Sequence, residues 1–387
     1  MHKCTFSDVE SRYIKYACAL AALAMGGFAV FASLAGDHGS PSSLVRVTAN
    51  EPLADAIRRV DPSFSFVADH YDGTYYYTIA VDPLARGEQH TLIDAAAYRY
   101  GHPGYGWLAA LLSLGRPRLV PIALLIAGFV GLVVAAGVAS EISAELGWSR
   151  WAGLYVAFNP GLIYALIVDT SETVGAALAG LSLLLWMRAK VWWAAIALIG
   201  LCFVKEQFVL FPIGLAIWEA VEWRRGKRRT DLTARALALA AGPVLLAVWF
   251  VYLHGTFHQW PVQQKPLGTS LFELPPFGYL HAITLAVSQH FSSGDTAQLG
   301  AAAVPLIVLT GGAMAVGIAR AVRLTSPLDP VFILLAILVF SLTWIELLYP
   351  KDLFRIVSIQ VALLPAAIAG ARVALRGPGD GESASSG

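Results

Sequence analysis

Asp69-His70-Tyr71-Asp72-Gly73-Thr74-Tyr75-Tyr76-Tyr77 crowds two carboxylates, a histidine and four tyrosines into nine residues. It is continued by Asp82-Pro83 and then by Ala97-Tyr98-Arg99-Tyr100-Gly101-His102-Pro103. Long apolar runs stand on either side, at residues 16–35 and 119–139. Each is about the length of a bilayer-spanning helix. A polar island between two such runs reads as a loop outside the lipid, and its density of acids, tyrosines and an arginine reads as a site.

Composition points the same way. The 387 residues are 57% hydrophobic and 14% charged, with a mean hydropathy of +0.62, against roughly 25% charged in an ordinary soluble domain. The expected fold is therefore an all-α polytopic membrane protein. A net charge of +1 and the absence of a basic, aromatic-interleaved run give no footing for nucleic acid. Cys4, Cys18 and Cys202 are too scattered for a disulfide framework or a metal-spaced pair and are expected as free thiols.

Working outward, the first apolar run follows Lys3, Arg12 and Lys15, a positive flank that places the N-terminus in the cytoplasm. A cleaved leader ending at Ala32-Ser33-Leu34-Ala35 is the competing reading, but the run is long for one. Residues 37–118 become a first external loop carrying short interfacial helices, with the apolar piece 107–114 too short to span. Further spans are expected at 119–139, 147–168, 173–187, 191–204, 208–221 and 234–253. A second external loop at 254–298 is followed by spans at 299–318, 328–348 and 356–373, about ten in all by the ~20-residue criterion. In this register most of the 27 Lys and Arg, including Arg224, Arg225, Lys227, Arg228 and Arg229, fall on the cytoplasmic side. Residues 1–376 thus form a single transmembrane domain with both termini cytoplasmic. The Gly/Ser-rich, acidic residues 377–387 are expected to be a disordered cytoplasmic tail. Asn159-Pro160 and Phe211-Pro212 are expected to kink their spans.

Charges at the ends of apolar runs face water or one another. The register gathers Asp69, Asp72 and Asp82, then Asp169 and Glu172, then Lys205 and Glu206, then Glu346, Lys351, Asp352 and Arg355 on one outer face. Simpler roles compete with a shared site. Lys205 and Glu206 could neutralise each other at a turn; Asp169 and Glu172 could cap the following helix; Asp72 could serve an Asp-Gly turn; and Tyr75 to Tyr77 could form an aromatic belt. The histidines at 254, 258, 281 and 290 lack close metal-ligand spacing.

The Tyr71-Asp72-Gly73-Thr74-Tyr75-Tyr76-Tyr77 stretch, Tyr98-Arg99-Tyr100-Gly101-His102-Pro103, Asn159-Pro160 running to Glu172, and Lys205-Glu206 together resemble the GT-C superfamily of integral-membrane glycosyltransferases. The likeness is to bacterial relatives of the GPI and dolichyl-phosphate-mannose-dependent mannosyltransferases. It implies a cell-envelope enzyme of the bacterial inner membrane that moves a sugar from a polyprenyl-phosphate donor to an acceptor hydroxyl of a glycan, lipid or protein on the extracytoplasmic side. Asp72 would match the loop carboxylate that activates the acceptor, with Asp69 its rival. Arg99 and His102 would fall in the segment that closes the loop, and Glu172 would match an acidic position of the second loop. Asp69 and Asp72 are three apart, unlike the Asp-Asp or Asp-x-Asp pairs of metal-using members, so neither a metal nor another cofactor is expected.

Chemically, such a transfer needs a base and cations for a leaving phosphate. Asp72 supplies the first; Arg99, His102, Lys205, Lys351 and Arg355 are candidates for the second. Tyr71, Tyr75 and Tyr76 could stack on sugar faces, with Asp169, Glu172 and Glu206 completing the substrate-binding set. A secondary transporter and a non-catalytic membrane subunit of an envelope-assembly complex are the alternatives.

Overall fold

A computed structural model of the chain describes residues 6–36, 39–227, 230–264, 272–288 and 295–373. The expected tail at 377–387 lies outside the described residues. Those residues are helical, with isolated bridges between Thr48 and Val67 and between Phe272 and Leu342.

The ten-span architecture is corrected. Among the described residues four helices are long and apolar enough to cross a membrane: Tyr13–Gly36, Pro117–Glu145, Leu232–Phe257 and Ala303–Ala321. The other expected spans are too short or broken. Glu172–Met187, Val191–Val204 and Leu328–Phe340 have 16, 14 and 13 residues; at ~1.5 Å per residue they reach ~20–24 Å, short of a ~30 Å hydrocarbon core. Hydropathy summed along the sequence ran straight through their ends.

The run 147–168 shows why. Asn159 does not kink a helix there; it starts one. Its Oδ1 accepts hydrogen bonds from the N–H groups of Gly161 at 3.0 Å and Leu162 at 3.2 Å, and Pro160 takes the first helical position of Pro160–Ile167, where a missing N–H costs nothing. Upstream the chain forms only short turns at Arg150–Gly153 and Leu154–Ala157. The run 328–348 likewise stops at Phe340 and resumes as Trp344–Leu348.

The inner-membrane assignment with cytoplasmic termini falls with the count. Which loop faced which side was inferred by alternating ten crossings, and four helices of spanning length do not reproduce that alternation. Arg235 illustrates the consequence. At the start of the expected span 234–253, it is 2% exposed, with Nη1 2.9 Å from Glu219 Oε1 and Nε donating to Asp231 Oδ2 at 2.8 Å.

The main core runs through Leu132, Ala136, Leu183, Leu198, Phe211 and Leu335, gathering Val120–Glu145, Glu172–Met187, Val191–Val204, Leu210–Arg224 and Leu328–Phe340 about one apolar interior. Against one end of it packs a second cluster, including Val45, Leu53, Ile57, Tyr77 and Leu124, which ties residues 45–81 to the Val120–Glu145 helix. Burying such side chains is the dominant favourable term, about 1.5–3 kcal/mol for each large one.

Two glycines set the site's position by close approach. A Cβ on Gly73 would lie 2.7 Å from the carbonyl oxygen of Val45 and 2.8 Å from that of Val168. A Cβ on Gly161 would collide with the backbone of Phe354, so the Pro160–Ile167 and Pro350–Ile356 helices touch there, next to Arg355. Gly73→Ala is expected to lower stability by about 1–3 kcal/mol, the range for an overpacked methyl, read as a fall in the urea midpoint with unchanged slope.

Candidate functional site

The site forms where the loop after Val67 meets the helices at Pro160–Ile167, Glu172–Met187 and Pro350–Ile356. Val67 N–H donates to Val47 O at 2.9 Å and Tyr71 N–H to Arg46 O at 3.1 Å, holding the acidic stretch against the segment 46–48. Asp72 then sits at the cap position of Gly73–Val81, but its side chain makes no capping bond. It turns into a cavity of about 410 Å³.

Two guanidinium groups hold it there. Arg355 Nη1 donates to Asp72 Oδ2 at 2.6 Å, and Arg99 Nη1 to Oδ1 at 3.4 Å. Burial works against ionisation, but the charges of Arg355 and Arg99 outweigh it and hold the Asp72 carboxyl well below the usual carboxylate range. Thirty per cent of its side chain stays exposed. Arg355, 10% exposed, also lies 3.6 Å from Glu172 Oε1 and 3.8 Å from Asp352 Oδ1. Arg99 lies over Tyr75, its guanidinium carbon 3.6 Å from the ring centroid, a cation–π contact.

Around this pair the expected residues sort themselves. Tyr71, Asp72, Tyr75, Tyr76, Arg99, His102, Lys205, Glu206 and Arg355 all line the cavity, although residues 72 and 355 are 283 positions apart in the chain. Lys205 and Glu206 do not pair with each other as a neutral turn. Lys205 Nζ donates to Glu172 Oε1 at 2.5 Å, while Glu206 Oε2 lies 3.0 Å from His102 Nδ1. Glu172 sits just behind the lining, 2% exposed; burial opposes its charge, and Lys205 and Arg355 more than restore it, so its pKa is lowered. Tyr71 donates its hydroxyl to Asp352 Oδ1; Tyr76 shares a hydrogen bond of 2.9 Å with Ser171.

Others lie elsewhere. Asp69 is 60% exposed and paired with Arg46 at 2.9 Å, outside the cavity lining. Asp82 is buried and accepts from the backbone N–H groups of Arg86 and Gly87, which makes it a loop staple. Asp169 is fully buried with neither carboxylate oxygen hydrogen-bonded. Lys351 is exposed outside the lining, its ammonium 5.2 Å from the Tyr71 ring centroid.

Some lining residues had been given no role in the site: His70, Asp94, Tyr98, Gln207 and Tyr349, and also Glu346 and Asp352, which were only gathered on the same outer face. Glu346 and Asp352 carried a signal, standing within ten residues of Arg355 in an otherwise apolar run; Asp94 and Gln207 carried none. Burial raises the pKa of Glu346 against the opposing pull of Arg355. In the cavity wall, His70 Nδ1 lies 2.9 Å from Glu51 Oε1 and its Nε2 3.0 Å from the Tyr75 hydroxyl.

Among the described residues, no group of three or more His, Cys, Asp or Glu is placed to hold a metal ion.

No family profile and no curated protein matches this chain. The GT-C resemblance therefore rests on short motifs alone, and the architecture it implied is the ten-span one that the four spanning-length helices overturn. The mannosyltransferase activity and the envelope role fall with it, as do the transporter and envelope-subunit alternatives, which needed the same multispan body. Against the cost of burial, the charges of Arg355 and Arg99 hold the Asp72 carboxyl well below the usual carboxylate range, and it accepts hydrogen bonds from both.

Proposed function

We propose that the cavity is a binding site for a compact, hydroxyl-rich ligand of the carbohydrate class. Its volume of about 410 Å³ falls within the usual range for small-molecule sites. The observation that carries the reading is the Asp72 carboxylate, held by Arg355 and Arg99 with 30% of its side chain still facing the opening. An ionised acceptor fixed beforehand by two guanidinium groups suits paired hydroxyl donors, and charge-assisted hydrogen bonds are about twice as strong as neutral ones. Elsewhere in the lining the Gln207 amide offers donors. Tyr98, Tyr349 and Phe272 supply the apolar surface on which the C–H face of a ring can lie.

Calorimetric titration of the intact chain in a nonionic detergent, with a panel of mono- and disaccharides, their phosphates and free amino acids, tests this. Affinity should concentrate in the hydroxyl-rich members. Asp72→Asn keeps the shape and removes the charge, and should weaken binding by about 1.5–3 kcal/mol, the worth of a hydrogen bond to a charged group, or roughly ten- to a hundredfold. Preference for the amino acids, or undiminished affinity in Asp72→Asn, would refute the proposal.

A further inference from the structure

A second cavity lies away from this site, between Leu210–Arg224 and Leu232–Phe257. It is a groove of about 600 Å³ walled mainly by apolar side chains, and it owes its depth to small residues. Ala216, Ala220, Ala236 and Ala240 line it, all exposed, and Trp223, 61% exposed, stands at its rim. From Pro212 to Trp223 the helical rise gives a trough of roughly 16 Å. On its floor is the buried Glu219–Arg235 pair.

One end of the groove is strongly basic. The turn that joins the two helices carries Arg224, Arg225 and Lys227, all exposed. Arg225 Nη1 donates to Leu324 O at 2.8 Å, which brings the segment holding the exposed Arg320 and Arg323 to the same end. The acids there are already engaged. Glu222 lies 2.8 Å from Lys227 and 3.5 Å from Arg225; Asp231 and Glu219 pair with Arg235. The net field at that end is positive.

We propose that this groove binds an anionic phospholipid, an acyl chain lying along the alanines and the phosphate held by Arg224, Arg225 and Lys227. An apolar trough alone would not choose its occupant. A trough that ends in clustered cations on exposed side chains matches an amphiphile with a negative head, and basic pockets between apolar helices are a recurrent headgroup site. Leu232–Phe257, which forms one wall, is among the helices long and apolar enough to cross a bilayer, so the groove would open toward lipid. The proposal is independent of the carbohydrate reading.

Native mass spectrometry of the intact chain, released from dodecyl maltoside micelles doped with equal palmitoyl-oleoyl phosphatidylglycerol and phosphatidylcholine, reads the preference directly. Phosphatidylglycerol adducts should exceed phosphatidylcholine adducts about tenfold. Replacing Arg224, Arg225 and Lys227 together by Ser should bring the ratio near one. Ala216→Phe with Ala240→Phe fills the trough from exposed positions and should abolish retention of both lipids. Equal retention by the unaltered chain would overturn the proposal. So would a phosphatidylglycerol excess that survives the filled trough, which is surface charge attraction alone. Displacement of the lipid by millimolar inorganic phosphate would overturn it too, since the chain would then contribute nothing.

Discussion

Arg355→Met should be the most damaging single substitution at the cavity, lowering unfolding free energy by about 3–5 kcal/mol, the cost of breaking a buried ion pair from one side. Arg355 is the shared counter-ion of Asp72, Glu172 and Asp352. Lys205 remains to neutralise Glu172, and Arg99 remains, at 3.4 Å, on Asp72, but three acids would then share two cations. Methionine keeps the apolar stem, so the loss would report charge and hydrogen bonding ahead of packing. Urea denaturation at neutral pH gives the number, and Asp72→Asn combined with Arg355→Met supplies the control. If the damage is the uncompensated Asp72 carboxylate, the double variant should recover part of the loss, as a coupling beyond additivity. A single-variant loss below about 1 kcal/mol, the worth of a solvent-screened surface pair, would show the cluster to be far wetter than its burial implies.

The same residue shows how far the sequence could be read. That Asp72, Arg99, Lys205 and Arg355 belong together was legible, because charged groups at the ends of apolar runs must meet water or each other, and the structure brings all four to one cavity. Helix 191–204 was legible to the residue, being bounded by Lys190 and Lys205. What failed was the step from apolar run to membrane span. A run of about 20 apolar residues fixes burial but not continuity, and local chemistry such as the Asn159 side chain cutting off its own helix leaves no trace in a hydropathy average. Pair identity was equally hidden. Adjacent Lys205 and Glu206 invited each other as partners, but backbone direction at the helix end sends one to Glu172 and the other toward His102. Asp72 was preferred with Asp69 as its rival; the contact of residues 71–73 with 45–46 and 168 decides which of them turns inward.

Asp169→Asn should stabilise the protein, with a gain that grows with pH. The side chain is fully buried and neither oxygen finds a hydrogen-bond partner; burial pushes its pKa well above the usual carboxylate range. The sign follows from proton linkage. Between the unfolded value near ~3.9 and the higher folded value, the native state holds a proton that the unfolded state has released. Stability therefore falls as pH rises through that window, by about 1.4 kcal/mol per unit for this one group. Asparagine cannot titrate, so the difference between variant and parent should be small near pH 4 and increase at that slope until the folded carboxyl itself ionises. The backbone favours the exchange as well. Asp169 adopts φ 49°, the left-handed region where Asn is among the best tolerated of non-glycine residues. Urea midpoints of the two proteins at half-unit steps from pH 4 to pH 8 would trace the divergence. Parallel curves would mean that Asp169 is solvated or paired in solution and ionises like an ordinary carboxylate, whereas a variant less stable at every pH would mean that its protonated form makes a bond that asparagine cannot replace.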